Sequence, residues 1–238
     1  MMKIGILLVG RASEDLVDEY GTYAEMLIAL INTEEQVFEF KTFNILDDEF
    51  PKDHLECDGW IVTGSPHGVY EDHSWIPTVS QLINNVYEAN LPIFGVCFGH
   101  QLIAQALGGH VEKSEKGWGL GLHTYQVNNK PDYMSNLSEE VTLNICHQDQ
   151  VLRPPQGATV YAKSEFCENA GFYIKDKVLT MQAHPEFLVD FTKALLTARR
   201  DVTIPKEFVD PALVGLKNNP DSVQSNEFAK TIRQFFLS

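Results

Sequence analysis

One cysteine of the chain lies in a sequence context that suits nucleophilic chemistry. Cys97 belongs to the motif GVCFG, which follows an apolar stretch at residues 92–96 and precedes a segment with helical spacing. This order is typical of a nucleophile elbow, in which flanking glycines permit a strained strand-to-helix turn. The dipole of the following helix would favour the thiolate of Cys97, and the backbone N–H of Phe98 would face a developing oxyanion. A buried cysteine in a tight turn is the alternative, and this segment favours catalysis.

A thiolate nucleophile needs a base, and the chain has eight histidines. The informative one is His184, in the motif QAHPE at residues 182–186. Pro185 biases His184 towards an extended backbone, in which residues two apart project to one side, so that Glu186 can approach the imidazole. A carboxylate there orients the ring and stabilises its cation. Taken alone, this motif is better explained as a turn that ends a strand.

A third motif, Gly64-Ser65-Pro66-His67-Gly68, ends a strand-like segment at residues 60–63. Gly64 would let a backbone N–H reach the same oxyanion and complement Phe98. As an isolated pattern it is weak, because Gly-Ser-Pro is common in loops.

The remaining cysteines and histidines do not have the spacing of a metal site. The four cysteines are far apart and form no CxxC pair, which argues against both a zinc site and a disulfide framework. Surface or core roles are therefore expected for the scattered histidines His54, His67, His73, His110 and His123, and no metal ligand is predicted.

The elements that must position these motifs alternate in type. Apolar patterns predict strands at residues 3–9, 37–43, 60–63 and 92–96, and helices at residues 20–32, 75–89 and 98–107. Short alternating segments follow at residues 110–113, 121–127, 142–145, 159–162 and 178–181. We interpret these as partly antiparallel additions at one side of the sheet. The predicted fold is therefore α/β, with an open, mostly parallel central sheet flanked by helices and with extra antiparallel strands.

Length and composition indicate one domain over residues 1–238. The chain is 44% hydrophobic and 21% charged, and no linker-like stretch divides it. A helical pattern from about Phe187 predicts a C-terminal helical extension at about 190–238, interrupted at Pro211 and Pro220. The net charge of −15 argues against nucleic-acid binding. Apolar runs are too short to span a bilayer or to act as a secretion signal, so a cytoplasmic protein without membrane contact is expected.

Together, the three motifs resemble the class I glutamine amidotransferase family, the triad-type glutaminases. The resemblance rests on GVCFGHQ at residues 95–101, HPE at 184–186 and TGSP at 63–66, in the family's order and spacing. It spans roughly the first 190 residues. Within the family the chain looks most similar to stand-alone members related to the glutaminase domain of GMP synthetase and to the plant γ-glutamyl peptidases. The implied fold is the flavodoxin-like fold of this family.

The resemblance also implies roles for individual residues. Those roles are a catalytic triad of Cys97, His184 and Glu186, an oxyanion hole from the N–H groups of Gly64 and Phe98, and substrate contacts from Ser65, Gln101, Cys146, Gln148 and Asp149. The chain departs from the synthetase domains at Ser65, where they usually have a second glycine, and at Cys146, where they often have serine. These departures leave the triad intact but make the substrate uncertain.

The implied reaction is hydrolysis of a γ-glutamyl amide through a γ-glutamyl thioester, without metal or organic cofactor. The substrate is a small molecule, either glutamine or a γ-glutamyl conjugate. Two alternatives stay open: an ammonia-supplying glutaminase subunit of a separate synthetase, and a non-catalytic regulatory relative. The chain has no P-loop-like GxxxxGK[ST] motif, so a synthetase acceptor would be another protein. The Gly-Ser-Pro loop favours the conjugate hydrolase, and the intact triad counts against the regulatory relative.

Overall fold

The computed structural model of the chain describes residues 1–32, 36–219 and 221–238. The strands of these residues are β1 (Met2–Leu8), β2 (Phe38–Asn44), β3 (Gly59–Val62), β4 (Ile93–Val96), β5 (His110–Lys113), β6 (Gly119–Val127), β7 (Glu140–His147), β8 (Asp149–Arg153), β9 (Thr159–Lys163), β10 (Gly171–Ile174) and β11 (Val178–Met181). The α-helices are α1 (Glu14–Tyr20), α2 (Tyr23–Ile31), α3 (Trp75–Glu88), α4 (Phe98–Ala106), α5 (Val189–Arg199), α6 (Lys206–Asn218) and α7 (Ser225–Leu237). None of these helices combines the length and apolarity needed to cross a membrane.

A nine-stranded sheet forms the centre of the described structure, in the order β2-β1-β3-β4-β11-β10-β9-β6-β7. The strands from β2 to β11 are parallel to one another. The remaining strands, from β10 to β7, pair in antiparallel fashion. This arrangement confirms the predicted α/β fold with an open sheet and added antiparallel strands.

Two of the short strands lie elsewhere than predicted. The sequence pattern places residues 178–181 among the additions at the side of the sheet, but β11 lies at its centre, parallel to β4. All four of its residues are buried, which is what a parallel strand covered on both faces requires. Strand β5 pairs with β8, which is absent from the prediction, in a separate two-stranded sheet. Strand β10 is likewise absent from the prediction.

The helices also differ from the sequence pattern in two places. Residues 20–32 are predicted as one helix, but α1 ends at Tyr20 and α2 begins only after Gly21, whose φ of 82° breaks the helical path. A capping box between Thr22 and Glu25 then starts α2. The predicted interruption at Pro211 is wrong, since α6 runs through this exposed residue. Pro220 lies outside the described residues.

The helices cover both faces of the sheet, which therefore separates two apolar clusters. Successive side chains of β1 point to opposite faces. Ile4 and Ile6 join a cluster that contains residues of α2, α5 and α7, whereas Leu7 joins the cluster that contains residues of α3 and α4. Because the parallel strands are covered on both faces, their carboxyl ends are the natural place for a site.

Candidate active site

Cys97 occupies a strained turn between β4 and α4. Its φ of 51° and ψ of −104° form a combination that L-residues rarely adopt. The neighbouring glycines allow the turn, because a Cβ on Gly99 would lie 2.1 Å from the carbonyl oxygen of Val62 and one on Gly95 would lie 2.6 Å from the carbonyl oxygen of Gly99. The N–H of Cys97 donates to the carbonyl of Met181 at 2.8 Å, which ties the turn to β11. The chain thus holds one cysteine rigidly at the carboxyl end of the sheet.

His184 and Glu186 lie in the loop that follows β11. His184 Nδ1 and Glu186 Oε1 are 2.7 Å apart, and both side chains are buried. The backbone N–H of His184 donates to the carbonyl of Asn144 at 2.8 Å, and the imidazole stacks on Phe187 with ring centroids 3.8 Å apart. These contacts fix both the position and the orientation of the imidazole.

The imidazole of His184 faces Cys97. Both residues line a narrow space of about 10 Å³. Because Nδ1 of His184 is hydrogen-bonded to Glu186, Nε2 is the nitrogen available to interact with the sulfur. Burial on its own lowers the pKa of His184, but the negative charges of Glu186 and Cys97, with hydrogen bonds to both, raise it to about 10. At neutral pH the ring is therefore a cation, which can stabilise a thiolate and donate a proton to a leaving group.

The two predicted oxyanion donors lie beside the same sulfur. A Cβ built on Gly64 would lie 2.8 Å from His184 Cε1 and 3.7 Å from Cys97 Cβ, so only glycine lets the loop after β3 come this close. Phe98 is the first residue of α4, and the first N–H groups of a helix have no intrahelical acceptor. The loop at Gly64 and the start of α4 therefore both lie close to Cys97.

A cleft of about 230 Å³ opens onto Cys97. Its walls include the five residues predicted to contact substrate, namely Ser65, Gln101, Cys146, Gln148 and Asp149. Gln101 is held in place because its Nε2 donates to the carbonyl of Asp149 at 2.8 Å and to Gln182 Oε1 at 3.1 Å. The structure thus brings all of the sequence-predicted site residues to one end of the sheet.

A larger cavity of about 430 Å³ lies beside the Glu186 carboxylate, between α2 and the start of α5. Glu186 borders it, but Cys97 does not, and its other walls include apolar residues such as Met26 and Phe191. Because a substrate of Cys97 must reach the sulfur, the smaller cleft, which Cys97 lines, is the candidate substrate site.

The cleft also contains two cations that the sequence motifs do not indicate, Arg199 and Lys113. Arg199 ends α5, and its Nη1 lies 3.6 Å from the Sγ of Cys146. Its neighbour Arg200 pairs with Asp210, whereas within the described parts of the chain Arg199 pairs with no carboxylate. The only sequence signal is a basic residue in the last turn of a helix, which does not indicate a site.

Two other histidines near the cleft are buried and uncharged. His100 shares a hydrogen bond with Thr180 Oγ1 at 2.8 Å, and His147 Nδ1 lies 3.0 Å from the carbonyl of Asp149. Burial lowers the pKa of each to about 3. Neither can serve as a cation beside Cys97, whereas His184 faces the sulfur and its pKa is raised to about 10.

These two buried histidines predict loss of stability in acid. Between the ordinary pKa of 6.5 and the folded pKa of about 3, the unfolded chain binds protons that the folded chain does not. The free energy of unfolding should therefore fall as the pH drops through this interval, by up to about 1.4 kcal/mol per pH unit for each histidine. Urea denaturation across this interval should show the slope, and His100→Asn should reduce it. An equal slope in that variant would contradict the prediction.

Comparison with known proteins places the chain in a family. The family model for glutamine amidotransferase class-I matches residues 15–199. The chain is 35% identical over 189 residues to γ-glutamyl peptidase 4 of Arabidopsis thaliana, covering 76% of this chain and 74% of that protein. It is 31% identical over 172 residues to the glutamine-hydrolysing GMP synthase of Bacillus velezensis, covering 71% of this chain but only 29% of that protein.

A solved structure shows the same fold. A glutamine amidotransferase from Thermotoga maritima superposes with a TM-score of 0.80 at 20% identity, covering 100% of this chain and 99% of that one. The family match spans most of the chain and contains the predicted site residues from Gly64 to Glu186. The chain therefore belongs to the class I glutamine amidotransferase family.

Proposed function

We propose that the chain hydrolyses the γ-glutamyl amide bond of a small γ-glutamyl compound, with Cys97, His184 and Glu186 as the catalytic triad. This proposal rests on one observation: Cys97 and the charged imidazole of His184 line one buried space, and the Glu186 carboxylate lies 2.7 Å from the other ring nitrogen. The similarity to a γ-glutamyl peptidase along most of both chains supports the substrate class.

In the acylation step, the Cys97 thiolate attacks the γ-carbonyl carbon and forms a C–S bond. The N–H groups of Gly64 and Phe98 donate to the resulting oxyanion. His184 then gives its Nε2 proton to the departing amine, and the C–N bond breaks. The products of this half-reaction are a free amine and a γ-glutamyl thioester on Cys97.

In the deacylation step, the now neutral His184 takes a proton from water, and the hydroxide attacks the thioester carbon. The same backbone donors hold the second oxyanion, and the C–S bond breaks to release glutamate and the thiolate. The Glu186 carboxylate stays ionised in both steps, because its role is to orient the ring and to balance its charge. Groups of the protein therefore supply the nucleophile, the acid and the base.

Arg199 is proposed to bind the α-carboxylate of the γ-glutamyl group. It lines the cleft with Cys97 and pairs with no carboxylate of the described residues, so a carboxylate ligand would satisfy it. A charge-assisted hydrogen bond contributes about 1.5–3 kcal/mol, so Arg199→Met should raise KM roughly tenfold to a hundredfold with a smaller effect on kcat. Arg200→Met removes the adjacent arginine, which pairs with Asp210, and should leave KM unchanged. Equal KM values for the two variants would exclude this role.

The proposed function is tested by offering the purified chain glutamine and a set of γ-glutamyl peptides, each beside Cys97→Ala. Cleavage of peptides by the chain alone supports the proposal. Turnover that never exceeds that of Cys97→Ala on either substrate class would refute it and favour a regulatory role.

The second candidate function is an ammonia-supplying glutaminase. The match to GMP synthase favours this function. The chain covers only 29% of that protein, so the synthetase would be a separate protein. Weak glutaminase activity that rises when a separate synthetase is added would indicate this function. The match to 74% of the peptidase is the reason for ranking the self-sufficient hydrolase first.

A further inference from the structure

Three possible metal ligands meet in the loop between β3 and α3. His67 Nδ1 lies 3.0 Å from Glu71 Oε2, and His73 Nε2 lies 2.9 Å from the same oxygen. The three ligand atoms all lie within 4.8 Å of one another. Within residues 1–32, 36–219 and 221–238, this is the one group of three such side chains. The separation of these histidines in the chain matches no metal motif, so the sequence alone predicts ordinary roles for them.

The surrounding contacts hold these side chains in position. The other oxygen of Glu71 accepts a hydrogen bond from the N–H of Gly68 at 2.9 Å. The ring of His73 stacks on Trp75, with an interplanar angle of 14°. Outer contacts of this kind orient metal ligands in known sites. They keep Glu71 Oε2 and the two ring nitrogens within 4.8 Å of one another.

We propose that His67, Glu71 and His73 bind a divalent first-row transition metal ion, with Zn²⁺ as the best fit. Two imidazoles and one carboxylate form a donor set that zinc sites use, whereas calcium and magnesium prefer oxygen ligands. Three protein ligands leave at least one coordination position for water or another small ligand. The site does not depend on the proposed catalytic function.

A metal ion at this site would affect the cleft that contains Cys97. His67 and Glu71 line the cleft that contains Cys97, and the loop that carries them also contains Gly64. A bound ion would join residues 67, 71 and 73 and so restrict the loop that supplies the oxyanion N–H. The open coordination position would lie at the rim of the cleft.

The competing explanation is a metal-free cluster in which Glu71 is hydrogen-bonded to both histidines. Donor atoms around a tetrahedral ion with bonds of about 2.0–2.1 Å lie roughly 3.3 Å apart. The observed 2.9 and 3.0 Å are shorter than this, and the three ligand atoms lie within 4.8 Å of one another, so the side chains would have to rotate to admit the ion. The pair His110–Glu112 offers a matched control, because it has one exposed histidine and one exposed carboxylate at the same i,i+2 spacing as Glu71 and His73.

The test is calorimetric titration of the full, metal-stripped chain with Zn²⁺. The Cys97→Ala background removes the competing thiolate of the active site. We expect one zinc ion per chain, at least tenfold weaker binding in His73→Gln, and unchanged binding in His110→Gln. The absence of saturable binding, or binding that His73→Gln leaves unchanged, would overturn the proposal.

A second measurement covers the case in which a variant fails to fold. In the Cys97→Ala chain with all histidines retained, Zn²⁺ should shift the imidazole ¹⁵N resonances of His67 and His73 and leave those of His110 in place. Shifts confined to His184 or to other histidines would place the ion elsewhere and refute the site.

Discussion

Replacing Cys97 with alanine is expected to lower kcat/KM for γ-glutamyl amides by at least about 10⁴-fold. The reason is that nucleophile knockouts in triad enzymes leave only the contribution of binding and the oxyanion hole. The kinetic comparison needs a buried cysteine outside the cleft as its control. Cys167, which is fully buried and borders neither cavity at the triad, serves this purpose, and Cys167→Ala should retain activity.

Mass spectrometry of the intact chain, quenched during turnover, checks the same prediction by another route. The wild-type chain should carry a glutamyl adduct on Cys97, and the Cys97→Ala chain should carry none. Cys146 is the other cysteine that lines the cleft, 3.6 Å from Arg199. An adduct on Cys146, or full activity in Cys97→Ala, would show that the nucleophile is misassigned.

The sequence predicts those parts of the site whose residues lie in short, contiguous motifs. The two-residue step from His184 to Glu186 follows from an extended backbone after a strand. Gly64 and Gly99 are likewise found from the motifs that contain them. The reason that glycine is required there is not local, because a Cβ would lie 2.8 Å from His184 or 2.1 Å from Val62.

Other parts of the site depend on contacts between remote segments. Arg199 reaches the cleft only because α5 packs beside the sheet, and no local pattern specifies that contact. The position of β11 next to β4 is also non-local, since an apolar run of four residues fits a central strand and an added one equally well. His67, Glu71 and His73 meet on an irregular loop. Such a loop has no helix or strand periodicity from which the sequence could predict their contact.

Replacing Glu186 with glutamine is expected to lower kcat by roughly 10² to 10⁴-fold while the chain stays folded. Glu186 Oε1 holds His184 Nδ1 at 2.7 Å, and Oε2 is buried without a hydrogen-bond partner among the described residues. A glutamine that turns its NH₂ towards Nδ1 would impose the wrong tautomer on the ring. A glutamine that turns its oxygen towards Nδ1 would bury the NH₂ without an acceptor, which costs about 1–3 kcal/mol. Both orientations impair the imidazole.

The same substitution should change the titration of His184, and this readout separates an electrostatic role from a merely structural one. Burial lowers the pKa of His184, and the charge of Glu186 is the foremost of the effects that raise it to about 10. Without that charge the pKa should fall, so the ring should lose its proton at lower pH in an NMR titration.

The raised pKa of His184 stabilises the wild-type fold below about pH 6.5, and this contribution is lost as the pH rises through about 10. Glu186→Gln should therefore also flatten the alkaline decline in stability. The control is Glu112→Gln, because Glu112 pairs with an exposed histidine two residues away, at the spacing of Glu186 and His184. A Glu186→Gln chain with a wild-type His184 titration and wild-type kcat would show that the carboxylate neither charges nor orients the base.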